Sequence, residues 1–179
     1  EDIATYFAFT CEHDVMTGFG GQMRPNDGIN RAEAAKITTL IMASLEDAEA
    51  IFEPFAAEEP STTVAFEDVT VGDWYAPYIY FLFREGVLAK RLIYRPADLL
   101  TRAEAMKLVI EAYAAISEEV LVELEELAGR SIWYEPYQAI SRFVKTSIGV
   151  LDPAGTATRA EIAELLYKLQ QTYPTEKFE

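Results

Sequence analysis

The sequence predicts an all-α protein made of three helix–loop–helix repeats, and two observations carry that prediction. One pattern occurs three times. It runs from Met23-Arg24-Pro25 to Asn30-Arg31-Ala32-Glu33, from Tyr94-Arg95-Pro96 to Thr101-Arg102-Ala103-Glu104, and from Leu151-Asp152-Pro153 to Thr158-Arg159-Ala160-Glu161. In each copy a proline stands six residues before an arginine that Ala-Glu follows. A Trp-Tyr-x-Pro-Tyr element precedes this loop twice, at 74–78 and 133–137. The first copy lacks it: Asp2 falls where Trp74 stands and Thr5 where Pro77 stands, so the first repeat reads as truncated at its N-terminus.

The first helix of each unit opens around Pro77 or Pro136, since a proline in the first turn costs little. Tyr78, Phe81, Leu82 and Val87 follow at roughly helical spacing, and Gly86 marks the stop. A loop carries the second proline. The second helix opens at Asn30, Thr101 or Thr158, where Asn/Thr-x-x-Glu forms a capping box: the cap side chain accepts from the third helical amide and Glu reaches back. After Thr101, Ala105, Leu108, Val109, Ala112, Tyr113 and Ile116 make one apolar stripe. The pattern continues through Val120, Leu121, Leu124 and Leu127, so a single helix is expected to run to Gly129. Its other side holds Glu118, Glu119, Glu123, Glu125 and Glu126, read as a solvated acidic face. Pro54, Pro60 and the Glu58-Glu59 pair read as a linker. The expected boundaries are repeat 1 at 1–52, a linker at 53–65, repeat 2 at 66–128, and a degenerate repeat 3 at 129–179.

The 179 residues suffice for one domain or two small ones, and half are hydrophobic, enough for a sizeable core. With 15 Lys+Arg against 30 Asp+Glu the formal net charge is −15. A field of that sign repels phosphate backbones, so no nucleic-acid partner is expected, and any anionic ligand needs a local basic site. No apolar run approaches the ~20 residues of a membrane helix. One cysteine and one histidine exclude an intrachain disulfide framework and leave little for a metal site or a nucleophilic triad. Cys11 and His13 stand two apart, which on a helix gives no shared face. Cys11 is expected to be a small buried hydrophobe. No P-loop, GxSxG, HExxH or Rossmann glycine pattern occurs. Catalytic residues, metals and cofactors are therefore expected to be absent.

Arginine at the first helical position is the physical oddity. A cation there opposes the helix dipole, whereas a helix N-terminus with free N–H groups favours an anion. Arginine adds a fork that fits a carboxylate. Arg31, Arg102 and Arg159 thus suggest contacts to ligand carboxylates, with Arg102 foremost; the competing reading is a salt bridge between repeats. Trp74 and Trp133 can pack the helix pair, the favoured reading, or stack on a sugar ring. Asp68 is expected to cap the turn that follows it.

Phe66-Glu67-Asp68-Val69, Trp74-Tyr75-Ala76-Pro77-Tyr78, Gly86-Val87, Tyr94-Arg95-Pro96 and Leu100-Thr101-Arg102-Ala103-Glu104 together resemble an S-layer homology (SLH) motif. Val15 to Pro25, with Gly18 and Gly21, resembles the Gly-Tyr-x-Asp-Gly loop of that motif. Repeat 2 departs from it at Ala89-Lys90-Arg91-Leu92-Ile93, repeat 3 has a shortened loop at Ile148–Asp152, and repeat 1 has Asn30 for Thr and no Trp. The resemblance implies a pseudo-threefold bundle of three repeats. It also implies a non-catalytic, extracellular or cell-wall-associated module whose grooves bind an anionic cell-envelope polysaccharide, pyruvylated in some members. The implied ligand contacts are Arg31, Arg102 and Arg159, with Trp74, Trp133, Gly18 and Gly21 around them; Lys90 and Arg91 would enlarge the basic patch of repeat 2. The alternative is a structural subunit of a surface layer or filament, whose partners are other copies or surface-layer proteins.

Overall fold

The computed structural model describes residues 2–18, 20–58, 64–89 and 91–179. Its regular elements are α-helices: α1 Ile3–Glu12, α2 Arg31–Met42, α3 Leu45–Glu58, α4 Ala76–Arg84, α5 Arg102–Ala114, α6 Glu118–Glu126, α7 Glu135–Phe143 and α8 Arg159–Thr172. A 3-10 turn, Glu176–Phe178, follows α8. Among the described residues there are isolated bridges but no strand. The fold is all-α, as expected. The chain divides into two units, Asn30–Asp98, and Glu1–Ile29 with Leu99–Glu179.

In the unit 30–98, α2 and α3 both pack on α4. Ile37 and Ile41 of α2 and Ile79 and Leu82 of α4 form the buried seam, with Phe66, Val69 and Tyr94 closing it from the loops. The Thr39 hydroxyl donates to the Tyr78 carbonyl at 3.2 Å, pinning the two helices. Helix α3 contains Pro54, so residues 53–58 of the expected linker are helical; residues 59–63 lie outside the described chain. Proline in a helix interior removes an amide donor and crowds the preceding turn. Here Phe52 and Phe55, on either side of it, both pack on Tyr80, with ring centroids 5.8 and 4.6 Å away.

In the other unit, α1 packs on α8 through Tyr6 and Tyr167, while α5 packs on α6, α7 and α8. Met106, Val109, Ile110 and Tyr113 of α5 are buried against Ile140 of α7 and Leu165, Leu166 and Leu169 of α8. The Tyr113 hydroxyl lies within hydrogen-bonding distance of Gln170 Oε1 and the Tyr173 carbonyl, which ties the C-terminus to the core. Burial raises the Tyr113 pKa to about 12. The single long helix expected from Thr101 to Gly129 is two. Ser117 is extended, at φ −134° and ψ 108°, and its hydroxyl accepts from the Val120 amide as the N-cap of α6. Glu118 and Glu119 fall in the first turn of α6, where negative charge is favoured. Of the acidic face, Glu123 also accepts from the Tyr173 hydroxyl.

At the centre of this unit the residues just before the three capping positions meet. Leu100 N–H donates to Ile29 O (3.0 Å), Ile29 N–H to Ala157 O (3.1 Å), and Ala157 N–H to Leu100 O (3.0 Å). The three residues are fully buried, and their amides form a closed triangle. Gly28 allows the close approach: a Cβ there would lie 2.9 Å from the Thr156 methyl.

Candidate functional site: three arginine turns

All three predicted capping boxes are present. Asn30, Thr101 and Thr158 accept from the amides of Glu33, Glu104 and Glu161, and each glutamate accepts from its cap's own amide. The arginine follows each cap as the first helical residue.

The helix starts are not open for an anion. Arg31 N–H donates to Asp98 O and Ala32 N–H to Pro96 O, at 2.9 and 3.0 Å. Arg102 and Ala103 donate in the same way to Gly155 O and Pro153 O, at 2.8 and 2.9 Å. Arg159 and Ala160 donate to Asp27 O and Pro25 O, both at 3.0 Å. With the third amide taken by the cap, a Pro loop has already used the donors that were expected to greet a ligand. The guanidinium groups are what remains of the anion argument.

Each guanidinium group reaches a distant segment of the chain. Arg31 Nε donates to Tyr94 O at 2.7 Å, and its guanidinium carbon lies 4.9 Å from the Tyr94 ring centroid. The Tyr94 hydroxyl donates back to Arg31 O at 3.0 Å. Burial pushes the Tyr94 pKa up to about 12, against a smaller downward pull from Arg31. Arg159 Nε donates to Met23 O at 2.9 Å, and a terminal nitrogen donates to Thr17 O at 3.1 Å. Arg159 therefore staples the two ends of the loop that contains Gly18 and Gly21, and the structure brings these three expected site residues together. Gly21, at φ +77°, adopts a conformation costly for other residues, and a Cβ on Gly18 would lie 3.0 Å from Gln22 O.

Arg102 Nε pairs with Glu161 Oε1 at 2.9 Å, with side chains only 18% and 9% exposed, and a terminal nitrogen reaches Asp152 O at 3.3 Å. The ion pair weighed against ligand contact is present, although Arg102 was the foremost ligand candidate. Removing one partner of a largely buried pair typically costs about 3–5 kcal/mol. Exposed ion pairs contribute about 0–1 kcal/mol. Arg24–Asp27 (3.4 Å) and Arg95–Asp98 (3.6 Å) are of the exposed kind.

Trp74 and Trp133 are 57% and 55% exposed, so neither fills the core, the reading favoured from sequence. Each lies edge-on to the next tyrosine, 5.4 and 5.6 Å between centroids. Their place explains this: both stand just before a helix whose buried face begins later, at Ala76 and Tyr78 in α4 and at Gln138 and Ile140 in α7. The Thr39–Tyr78 contact sets the start of α4 against α2 eight residues beyond Arg31, roughly 12 Å along the axis. Arg91 is exposed, and Lys90 lies outside the described residues. Cys11 is exposed rather than buried, its Sγ 3.2 Å from Met16 O at the end of α1. Among the described residues no His/Cys/Asp/Glu group has the geometry of a metal site.

Three residues of the turns have roles that differ from, or go beyond, those expected of them. Asp68 does not cap its own turn; it accepts from the amides of Tyr94 and Arg95, both at 2.7 Å. Arg24 and Arg95 have positive φ, 47° and 61°, just before proline. A signal for these two existed: Arg-Pro-x-Asp occurs at 24–27 and 95–98 and becomes Asp-Pro-Ala-Gly at 152–155.

Residues 11–35 and 65–106 match the S-layer homology domain. These stretches are S-layer homology sequence. They contain Gly18, Gly21, Arg31, Trp74 and Arg102, whereas Trp133 and Arg159 lie outside them. The chain is also 28% identical over 165 residues to an amylopullulanase of Thermoanaerobacterium thermosulfurigenes, covering 83% of this chain and 8% of that protein. The exoglucanase XynX of Acetivibrio thermocellus gives 28% over 165 residues, 83% of this chain and 13% of that protein. The chain thus spans a small part of the curated relatives it matches. SLH domains anchor proteins at the cell surface, bind cell-envelope glycans and are not themselves catalytic. No helix among the described residues is long and apolar enough to cross a membrane.

Proposed function

We propose that this chain is a non-catalytic SLH module that attaches the protein carrying it to the cell envelope by binding an anionic polysaccharide. A pyruvate ketal is one way such a sugar carries its charge. Arginines gathered on the Pro loops take the carboxylate, exposed Trp74 and Trp133 offer flat faces to the sugar ring, and Gly18 and Gly21 let the glycan approach backbone. The observation that carries this reading is the repeated placement of arginine at a helix start against a Pro loop in a chain of net charge −15. An anionic ligand meets general repulsion from such a chain and needs these local cations.

The test is co-sedimentation with envelope fragments of the source organism, before and after chemical removal of their accessory polysaccharide. Binding that disappears with the polysaccharide is the expected result. Equal binding to stripped fragments, or none to intact ones, overturns the proposal. The second reading, a structural subunit of a surface layer or filament, is favoured by exposed Phe143, Val150 and Leu151. It predicts large regular assemblies of the pure protein, without glycan, on size exclusion or in negative-stain images.

A further inference from the structure

The second helix of each repeat carries one position whose charge differs between repeats. Five residues after the turn arginine stand Lys36 in α2, Lys107 in α5 and Glu164 in α8. Each of these helices packs on the first helix of another repeat: α2 on α4, α5 on α7, and α8 on α1. In the repeat register Asp2, Trp74 and Trp133 are equivalent, and so are Tyr6, Tyr78 and Tyr137.

We propose that Asp2 and Glu164 close the α1–α8 groove to the anionic glycan, and that its acidic groups are received where lysine holds the same position, at Lys107 beside α7 and Lys36 beside α4. This deepens the envelope-glycan reading, adding lysine to its cations, and rests on it. The recognised chemistry is a sugar carboxylate, and the selecting device is a reversal of charge within one repeated groove.

Three observations carry the inference. The first is position. Lys107 Nζ lies 5.5 Å from the Tyr137 ring centroid. Glu164 and the equivalent Tyr6 line one cavity of about 590 Å³, with Asp2, Ser147 and Glu161. Glutamate thus replaces lysine beside an equivalent ring. Lys36 stands three residues before Thr39 on one face of α2, and the Thr39 hydroxyl meets the Tyr78 carbonyl, so this face is the one turned to α4. The second is how the carboxylates of the cavity are held. Glu164 Oε2 accepts from the Ser147 amide at 2.9 Å and from the Ser147 hydroxyl, and Asp2 Oδ1 accepts from the Thr5 amide and hydroxyl at 3.0 and 3.1 Å. Neutral donors fix these groups and leave their charge, so a ligand carboxylate entering the cavity meets repulsion from both. Glu161, which also lines it, is paired with Arg102. The third is the contrast in the α5–α7 groove. There Glu111 is offset by Lys107 and accepts from the Tyr137 hydroxyl at 2.6 Å, and exposed Trp133 stands where α1 has Asp2. The Lys107–Glu111 side chains are 40% and 28% exposed, so solvent screens the pair and a ligand carboxylate can compete for the lysine.

The test compares variants in the co-sedimentation assay with intact envelope fragments, with melting curves run alongside. The double variant Lys36→Gln/Lys107→Gln is expected to weaken binding by roughly tenfold or more. Glu111→Gln removes the ion-pair partner of Lys107 and keeps the lysine. It is expected to hold or raise affinity, whereas a purely structural pair predicts the same loss as the lysine variant. Ala160→Glu adds a carboxylate to the α1–α8 cavity, which Ala160 lines, and does so in the first turn of α8, where the helix dipole favours negative charge. It is expected to bind within about twofold of wild type, since that groove is already closed. A lysine variant that binds like wild type, a Glu111→Gln variant that loses as much as the lysine variant, or an Ala160→Glu variant that loses binding while folded overturns the inference and leaves the glycan reading standing. Wild-type binding that survives polysaccharide removal overturns the glycan reading and this inference together.

Discussion

Glu161 has two tasks, and they set its importance. One carboxylate oxygen closes the Thr158 capping box, at 2.9 Å from the Thr158 amide, and the other holds Arg102. Arg102→Ala leaves a nearly buried carboxylate without its cation. The expected loss is about 3 kcal/mol, read as a lower denaturant midpoint at unchanged slope, against under about 1 kcal/mol for Arg95→Ala. Ser141 is the opposite case: its hydroxyl is buried without a partner, so Ser141→Ala is expected to be neutral or stabilising by up to about 1 kcal/mol in the same measurement. The tyrosines give a pH dependence. Tyr94 and Tyr113 have folded-state pKa values near 12, against 10.0 for an unperturbed tyrosine. Their neutral forms are favoured in the fold, so that stability is complete below pH 10 and is lost as pH rises through 12. A guanidinium melt series from pH 9 to 12 is expected to fall by a few kcal/mol over that interval. Local residue roles were legible because a cap and its glutamate are three positions apart. The Asp68 bond to Tyr94 was not, since it joins distant positions, and no local rule selects Glu161 for Arg102 among thirty acidic residues.

At the scale of elements, helix starts were easier to read than helix ends. Prolines 77 and 136 fall within the first two helical residues, and Asn30, Thr101 and Thr158 are N-caps, since both features act through nearby backbone. The break at Ala115–Ser117 was hidden because the apolar stripe stays in phase across it. Helix α3 was hidden by Pro54, whose cost is met by aromatic contacts in a distant helix. Thr101→Ala removes an N-cap and is expected to cost about 1 kcal/mol, checked by urea unfolding. Ser117→Ala is expected to cost a similar amount and to let α5 and α6 run together, which hydrogen exchange at residues 115–118 would register as new amide protection. Gly149 is tighter still. A Cβ there would lie 2.8 Å from the Arg142 amide and the Ser141 carbonyl carbon, so Gly149→Ala must move α7 or its loop, and a clear drop in melting temperature is the expected outcome.

On the scale of the molecule, the order of the contacts matters more than their number. The start of the second helix in repeat 1 rests on the Pro loop of repeat 2, that of repeat 2 on the loop of repeat 3, and that of repeat 3 on the loop of repeat 1. The repetition was visible in the sequence, but this assignment of each helix to another repeat's loop was not, because three near-identical loops offer equivalent local chemistry. A chain ended at Ala128 would lack α7 and α8, against which α1 and α5 pack. Its helicity by circular dichroism is expected to fall by more than the missing residues account for, with loss of a cooperative melt. The triangle of Ile29, Leu100 and Ala157 carries the point further. An open solenoid leaves an unused edge at each end, so it can be lengthened one unit at a time. Here every donor in the ring meets an acceptor from another member, and nothing is left over for a fourth. A fourth segment of the same kind would find no amide or carbonyl of these three residues left to pair with.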